Sequence, residues 1–80
     1  MQLKIQAFGI AKDIIGGSEI EFTTENGITV EALKEALRIQ FPSFGDLSSL
    51  AIAVNNEYGD AGQVILETDE VVLIPPVSGG

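Results

Sequence analysis

The chain has 80 residues, of which 45% are hydrophobic, and it contains neither cysteine nor histidine. These two absences exclude disulfides, thiolate chemistry and the side chain that most often serves as a general base or metal ligand. Twelve acidic against four basic residues give a formal net charge of −8, which disfavours nucleic acid as a partner and favours either a basic protein surface or solubility alone.

The first half of the chain shows the patterns of two strands and one main helix. Alternating apolar and polar residues predict strands over 2–8 and 19–24, with a short helical turn over 9–15 between them. Thr29 is placed to cap a helix, and Pro42 predicts that this helix ends before it. Apolar residues at spacings of three and four predict its buried face: Val30, Leu33, Leu37 and Phe41.

The second half reads as further strands joined by turns. Ile52 and Val54 predict a third strand, and the pair 55–56 predicts a turn. The segment 57–66 suggests a short strand followed by an irregular connection. The continuous apolar run 71–74 predicts a buried last strand.

The order of these elements, ββα and then ββ, predicts an α+β fold of the β-grasp type: a mixed sheet with one main helix, and strands one and five central and parallel. We expect a β-grasp domain over 1–74 and an extended, flexible C-terminal tail over 75–80. No apolar run is long enough to span a membrane and no signal-peptide pattern is present, so the expected location is cytoplasmic, without a membrane partner.

The tail carries the most informative motif, two prolines followed by Val77, Ser78 and a pair of glycines. Each proline fixes its φ near −65°, which favours an extended tail that projects from the domain. Glycine lacks Cβ, so Gly79 and Gly80 could enter a channel too narrow for other residues. The terminal carboxylate of Gly80 is therefore the predicted reactive group. The alternative is an ordinary solvated end.

Other candidate groups are better explained by structure than by chemistry. The acidic residues Glu67, Asp69 and Glu70 could hold a hard cation, but a solvated turn is the favoured interpretation and no metal is predicted. The phenylalanines are expected in the core. Phe8 has a second interpretation, an exposed apolar docking patch near the last strand.

A terminal carboxylate becomes reactive when a separate ATP-dependent enzyme adenylates it. Sulfur can then replace one oxygen, which would make the chain a sulfur carrier, or an amine can attack the carbonyl, which would make it a protein tag. Residues 73–80 resemble the ending of the small, sulfur-carrying subunit of molybdopterin synthase. Further similarity to this ubiquitin-like family lies in four segments: 8–15, 29–33, 53–55 and 69–71.

The resemblance implies that Gly80 is adenylated by a partner similar to ubiquitin-activating enzymes, which consumes ATP, and that a sulfurtransferase then supplies the sulfur of a thiocarboxylate. It implies transfer of this sulfur to precursor Z (cyclic pyranopterin monophosphate) within the large catalytic subunit, in a heterotetramer. The chain itself would donate sulfur without catalysing and would hold no permanent cofactor. The residues that the resemblance assigns to partner binding are Pro75, Pro76, Val77, Ser78 and Gly79, with Phe8 and Ile74 as neighbouring apolar contacts.

Three other functions remain open from the sequence. The first is the related sulfur carrier of thiazole synthesis in the thiamin pathway, which shares the diglycine. The second is a ubiquitin-like modifier joined through Gly80 to lysines of other proteins. The third is a noncovalent binding module whose acidic face docks onto a basic protein.

Overall fold

The computed structural model describes residues 1–44 and 50–74. The predicted tail, 75–80, lies outside the described residues. In chain order the elements are β1 (Gln2–Ala7), α1 (Gly9–Ile15), β2 (Glu19–Thr23), α2 (Val30–Gln40), a 3₁₀ turn (Pro42–Phe44), β3 (Ala51–Val54), β4 (Glu57–Tyr58) and β5 (Val71–Ile74). All the predicted strands and helices are present, and β1 and β2 each end one residue earlier than the alternation predicts.

The five strands form one mixed sheet in the order β2-β1-β5-β3-β4. β1 and β5 are parallel neighbours, with residues 5–7 opposite residues 71–73, whereas the other three pairings are antiparallel. The prediction that strands one and five are central and parallel is confirmed. A buried apolar strand such as β5 is favoured at this position because both of its edges are paired.

The core lies between one face of the sheet and the helices. Val30, Leu33 and Leu37 are buried along α2, as the helical spacing predicts, and Phe41 is half-buried at its end. The largest fully buried side chains are Leu3, Ile5, Leu33, Leu37, Ile52, Ile65, Leu73, Val30 and Val71. Within the described ranges no helix is long and apolar enough to cross a membrane.

The start of α2 is held by two different parts of the chain. Thr29 caps the helix as predicted, since its Oγ1 accepts a hydrogen bond from the backbone N–H of Ala32 at 3.1 Å. The N–H groups of Val30 and Glu31 donate to backbone carbonyls within the segment 61–63, at 2.9 and 3.0 Å. The irregular connection after β4 therefore pairs N–H groups that a helix cannot satisfy internally.

Gly59 brings this connection against the first turn of α2. A Cβ at position 59 would lie 2.9 Å from Cγ2 of Val30 and 3.4 Å from the backbone oxygen of Ile52. Val30 is fully buried and stiff at χ1, so it has little room to move aside. The close approach depends on the absence of a side chain at this position.

We expect Gly59→Ala to lower the free energy of unfolding by about 1–3 kcal/mol, the usual range for overpacking a core contact. Gly62→Ala is the matched control, because a Cβ there meets no atom within 4 Å and no positive φ is recorded. Urea denaturation of both variants and wild type measures the effect. Equal stability of the two variants would show that the contact between residues 59 and 30 is not restrictive.

Candidate docking surface

The last strand leads from the core to the predicted reactive tail. Val71 and Leu73 are fully buried, and β5 ends at Ile74, directly before the tail. Because β1 and β5 are parallel, their C-terminal ends lie at the same end of the sheet, and Phe8 follows β1 one position beyond the Ala7–Leu73 pair. The structure thus brings Phe8 and Ile74 together. The tail residues Pro75 to Gly80 lie outside the described residues, so the roles predicted for them stay predictions.

An apolar patch covers this end of the sheet, on the face opposite α2. We define the apolar patch by five residues from three strands and the β1–α1 junction: Phe8, Ala53, Tyr58, Val72 and Ile74. They line a shallow depression of about 390 Å³ together with Gln6, Asn56 and Glu70. Strand register explains the grouping, since Val72 pairs with Ala53 and Ala53 pairs with Tyr58, so their side chains share one face.

Phe8 lies on the surface of the domain and not in its core. Its expected place in the core is wrong, because the side chain is 58% exposed, and the alternative of an exposed apolar position is the correct one. Its backbone is extended, with φ −129° and ψ 161°, so it continues the alternation of β1. Residues 3, 5 and 7 face the core. An extended residue at position 8 therefore faces outward.

Tyr58 is a member of the patch that no sequence pattern predicted, and its side chain is 72% exposed. Tyr58 lies in a two-residue strand that follows the Asn55-Asn56 turn, where both asparagines have positive φ, 53° and 69°. Such a turn joins adjacent antiparallel strands. The Asn55-Asn56 turn directly after the third strand was therefore the sequence signal for a hairpin. A hairpin around this turn places Tyr58 opposite Ala53.

Acidic side chains flank the apolar patch on the same face. Glu67, Asp69 and Glu70 line a neighbouring polar depression with Glu19 and Lys4. The favoured interpretation of 67–70 as a turn is supported, because Asp69 holds the turn: its Oδ2 accepts from the backbone N–H of Leu66 at 2.8 Å and its Oδ1 from Asn55 Nδ2 at 2.9 Å.

These hydrogen bonds connect the β3–β4 turn to the start of β5. The Leu66 N–H, and after it the Asn55 amide, lower the pKa of Asp69 below its ordinary value because both bonds favour the carboxylate. Asn55 Oδ1 accepts from the backbone N–H of Glu70 at 2.9 Å, and the Glu70 carbonyl accepts from Asn55 N–H at 2.8 Å. The network fixes the direction in which β5 begins, and so the position of the patch.

The mixed sheet with α2 across one face defines a ubiquitin-like β-grasp protein. Residues 5–80 match the sequence profile of the ThiS family, and the chain belongs to that family. Among its relatives, a molybdopterin synthase sulfur carrier subunit from Arabidopsis thaliana is 28% identical over 81 residues, covering 100% of this chain and 84% of the relative. One from Pyrenophora tritici-repentis is 51% identical over 51 residues, 55% of each chain. The predicted family resemblance is confirmed.

Solved structures confirm the fold. A protein from Pyrococcus furiosus, described as a candidate subunit 1 of molybdopterin converting factor, superposes with a TM-score of 0.84 at 23% identity over 96% of this chain and 99% of that one. Small archaeal modifier protein 1 from Haloferax volcanii gives 0.77 at 21% identity, over 95% and 98%. A complex of subunits 1 and 2 of molybdopterin-converting factor from Helicobacter pylori contains a chain that gives 0.66 at 23% identity, over 100% of both.

We expect Asn55→Ala to lower the free energy of unfolding by about 1–2 kcal/mol. The substitution removes two side-chain hydrogen bonds. It also places alanine, which lacks a polar side chain to stabilise a positive φ, in the left-handed region. Asn55→Gly removes the same bonds but tolerates φ 53°, so its loss should be smaller. Chemical denaturation at pH 7 measures both. If neither variant differs from wild type, the network does not hold the start of β5.

The same variants should show a defined pH dependence. The pKa of Asp69 is lowered by folding, so its carboxylate contributes stability above the unfolded value of about 3.9, and this contribution is lost as pH falls through the folded value. Without Asn55 Nδ2 the pKa of Asp69 should rise, and the stability difference between Asn55→Gly and wild type should shrink in acid. A carbon-detected NMR titration of the carboxyl group tests this; an unchanged titration would contradict it.

Proposed function

We propose that this chain is the sulfur-carrier subunit of a molybdopterin synthase. The observation that carries the proposal is the position of β5, which runs from the buried centre of the sheet to the diglycine tail and ends beside an exposed apolar patch. A full-length relative with that name supports the assignment. The chain supplies no histidine or cysteine, and in this proposal the catalytic groups and the substrate pocket belong to its partners.

In the proposed reaction Gly80 is the acyl group that carries sulfur. Its carboxylate attacks the α-phosphorus of ATP on an adenylyltransferase similar to ubiquitin-activating enzymes, and pyrophosphate leaves. A sulfurtransferase then delivers sulfur at the oxidation level of sulfide, which displaces AMP and leaves a thiocarboxylate. ATP is a substrate of the activating enzyme, and this chain needs no cofactor of its own.

The proposed acceptor is the large catalytic subunit, which binds precursor Z and receives two sulfurs in succession to form the molybdopterin dithiolene. The tail residues Pro75 to Gly79 would lie extended in its active-site channel, with two small subunits flanking a dimer of large ones. The Helicobacter pylori complex, in which subunits 1 and 2 of molybdopterin-converting factor are bound to each other, supports a partner of this kind.

The apolar patch gives both partners a place to dock. Phe8 and Tyr58 expose large aromatic side chains, which are typical anchors of protein interfaces, and the neighbouring carboxylates favour encounter with a basic surface. Because the tail leaves the domain beside the patch, a partner that accepts the tail must also cover the patch. The activating enzyme and the large subunit would therefore bind one after the other and compete.

A second candidate function is that of a ubiquitin-like modifier joined through Gly80 to lysines of other proteins. The observation that favours it is the superposition with small archaeal modifier protein 1. The same activated glycine serves both functions, and the nucleophile that follows adenylation distinguishes them. In the remaining alternative the chain is a sulfur carrier whose sulfur goes to the thiazole-forming enzyme of the thiamin pathway.

We expect Phe8→Asp and Tyr58→Asp each to raise the Kd for the large subunit by about tenfold or more, since losing a buried aromatic anchor commonly costs about 2 kcal/mol. Val64→Asp is the control, because Val64 is 50% exposed and lies outside the patch. Isothermal titration calorimetry measures the three affinities, and circular dichroism checks the folds. Equal affinities for all three would mean that the patch is not the docking surface.

We expect the full chain to gain about 16 Da after incubation with the activating enzyme, ATP and a sulfur donor, because sulfur replaces one oxygen, whereas a Gly80 deletion stays unmodified. Intact mass spectrometry detects this difference. The thiocarboxylated chain should then restore dithiolene formation by the large subunit. Isopeptide-linked products without sulfur exchange would favour the modifier, and unchanged sulfur transfer by the deletion would overturn the proposal.

A further inference from the structure

The outer edge of β2 has no strand beside it among the residues that the structure describes. Within residues 1–44 and 50–74, β2 pairs with β1 alone. The N–H of Thr24 donates to the Met1 carbonyl at 2.8 Å, and the N–H of Ala7 donates to the Ser18 carbonyl at 3.0 Å. The even-numbered residues of 18–24 therefore direct their backbone groups toward β1. In an antiparallel ladder the alternate residues direct theirs the other way.

Three residues thus offer backbone hydrogen-bonding groups to an added strand: Glu19, Glu21 and Thr23. An unpaired row of N–H and C=O groups is a template for strand addition unless the protein blocks it. No proline or bulge interrupts β2 between Glu19 and Thr23, and all five residues lie in one regular register with β1. The edge is available for pairing.

An apolar groove runs along this edge, between β2 and α2. Its volume is about 370 Å³, and its apolar lining comes from Phe22, Ile28, Ala32, Ala36 and Ile39. Phe22 and Ile28 are buried in the floor, whereas Ile39 is 70% exposed on α2. The groove shares no lining residue with the apolar patch, so it is a separate surface.

Three carboxylates lie beside this edge, and Lys4 lies opposite Glu21 on β1. Glu19 and Glu21 are exposed on the face of the sheet opposite α2, and Glu25 lies at the groove itself. The described lining of the groove includes no lysine or arginine. With a net charge of −8 on the chain, this edge favours a cationic partner.

We propose that the edge of β2 binds an extended basic segment of a partner protein, which adds to the sheet as a further strand. In a strand, alternate side chains point to opposite faces. Apolar side chains of the added strand enter the groove against Phe22 and Ile39, and its lysines or arginines lie beside Glu19 and Glu21. The recognised pattern is therefore strict alternation of β-branched and basic residues.

The competing occupant is a second copy of this chain, paired edge to edge. Antiparallel pairing of β2 with itself would place Glu19 and Glu21 of one copy near the same carboxylates of the other. Like charges across neighbouring strands destabilise the pair, whereas opposite charges stabilise it. The charge pattern favours a basic peptide over self-association.

The test uses the full chain and the probe peptide acetyl-Lys-Val-Lys-Ile-Lys-Val-Lys-amide, followed by ¹⁵N–¹H NMR. We expect the largest shifts at the amides of Glu19, Glu21 and Thr23, and slower hydrogen exchange there. A peptide of the same sequence with N-methyl groups on alternate residues cannot pair with the edge, and a copy with glutamate in place of lysine reverses its charge. Both should lose measurable binding.

Two variants with matched controls locate the contact. Glu21→Gln should raise the Kd of the probe by about threefold to fivefold because one cross-strand charge pair is lost, and Ile39→Ser by a similar factor because an apolar contact in the groove is lost. Their controls are Ile10→Ser, which changes an isoleucine 61% exposed on α1, and Glu57→Gln, which removes the same charge at the opposite edge of the sheet. The controls should bind as wild type does.

Four outcomes would overturn the proposal: no binding of the probe at millimolar concentration, retained binding by the N-methylated peptide, shifts confined to the apolar patch, or equal weakening in the variants and their controls. Dimerisation of the chain alone through β2, detected by sedimentation, would assign the edge to self-association instead. None of these outcomes depends on sulfur transfer, so the experiment tests the β2 edge independently of the proposed function of Gly80.

Discussion

The first and last strands of the chain pair in parallel at the middle of the sheet, with residues 5–7 beside residues 71–73. β5 is paired on its other edge with β3, so it has neighbours on both sides and buries Val71 and Leu73 against the helices. The parallel direction places Phe8 next to Ile74 at one end of the sheet. The position of Ile74, directly before the tail, follows from this pairing, and the pairing of β5 with β3 adds the β3–β4 hairpin to the apolar patch.

Two faces of the same sheet have different roles. One face is covered by α2 and supplies the core, whereas the other carries an apolar patch at one end and carboxylates at the other. A domain of 80 residues has limited surface to bury, and exposing several apolar side chains reduces its stability. Their exposure is consistent with a surface that is covered during docking rather than in the free chain.

Much of the fold could be predicted because its elements carry local signals. Alternation marked β1 and β2, the spacing of apolar residues marked α2, and Thr29 and Pro42 marked its limits. Phe8 was misplaced because its apolar character outweighed its position in the alternation, which directs residue 8 away from the core. Tyr58 was missed because a two-residue strand has no periodicity, and only its partner across the turn fixes its direction.

The segment 61–63 could not be predicted, for a different reason. Its carbonyls accept hydrogen bonds from the start of α2, and backbone carbonyls are the same in every residue type. Side-chain caps leave a sequence signature, whereas caps made by distant main chain do not. Among the described glycines, Gly59 is the only one that marks this contact in the sequence. A Cβ at position 59 would lie 2.9 Å from a methyl group of Val30.

The pairing of the first strand with the last also sets the order of events during translation. β5 emerges from the ribosome after every strand with which it pairs, so the sheet lacks its centre until residues 71–74 have left the ribosome. Val72 and Ile74 complete the apolar patch at the same moment. A partner that recognises the patch therefore binds only chains in which β5 has joined the sheet.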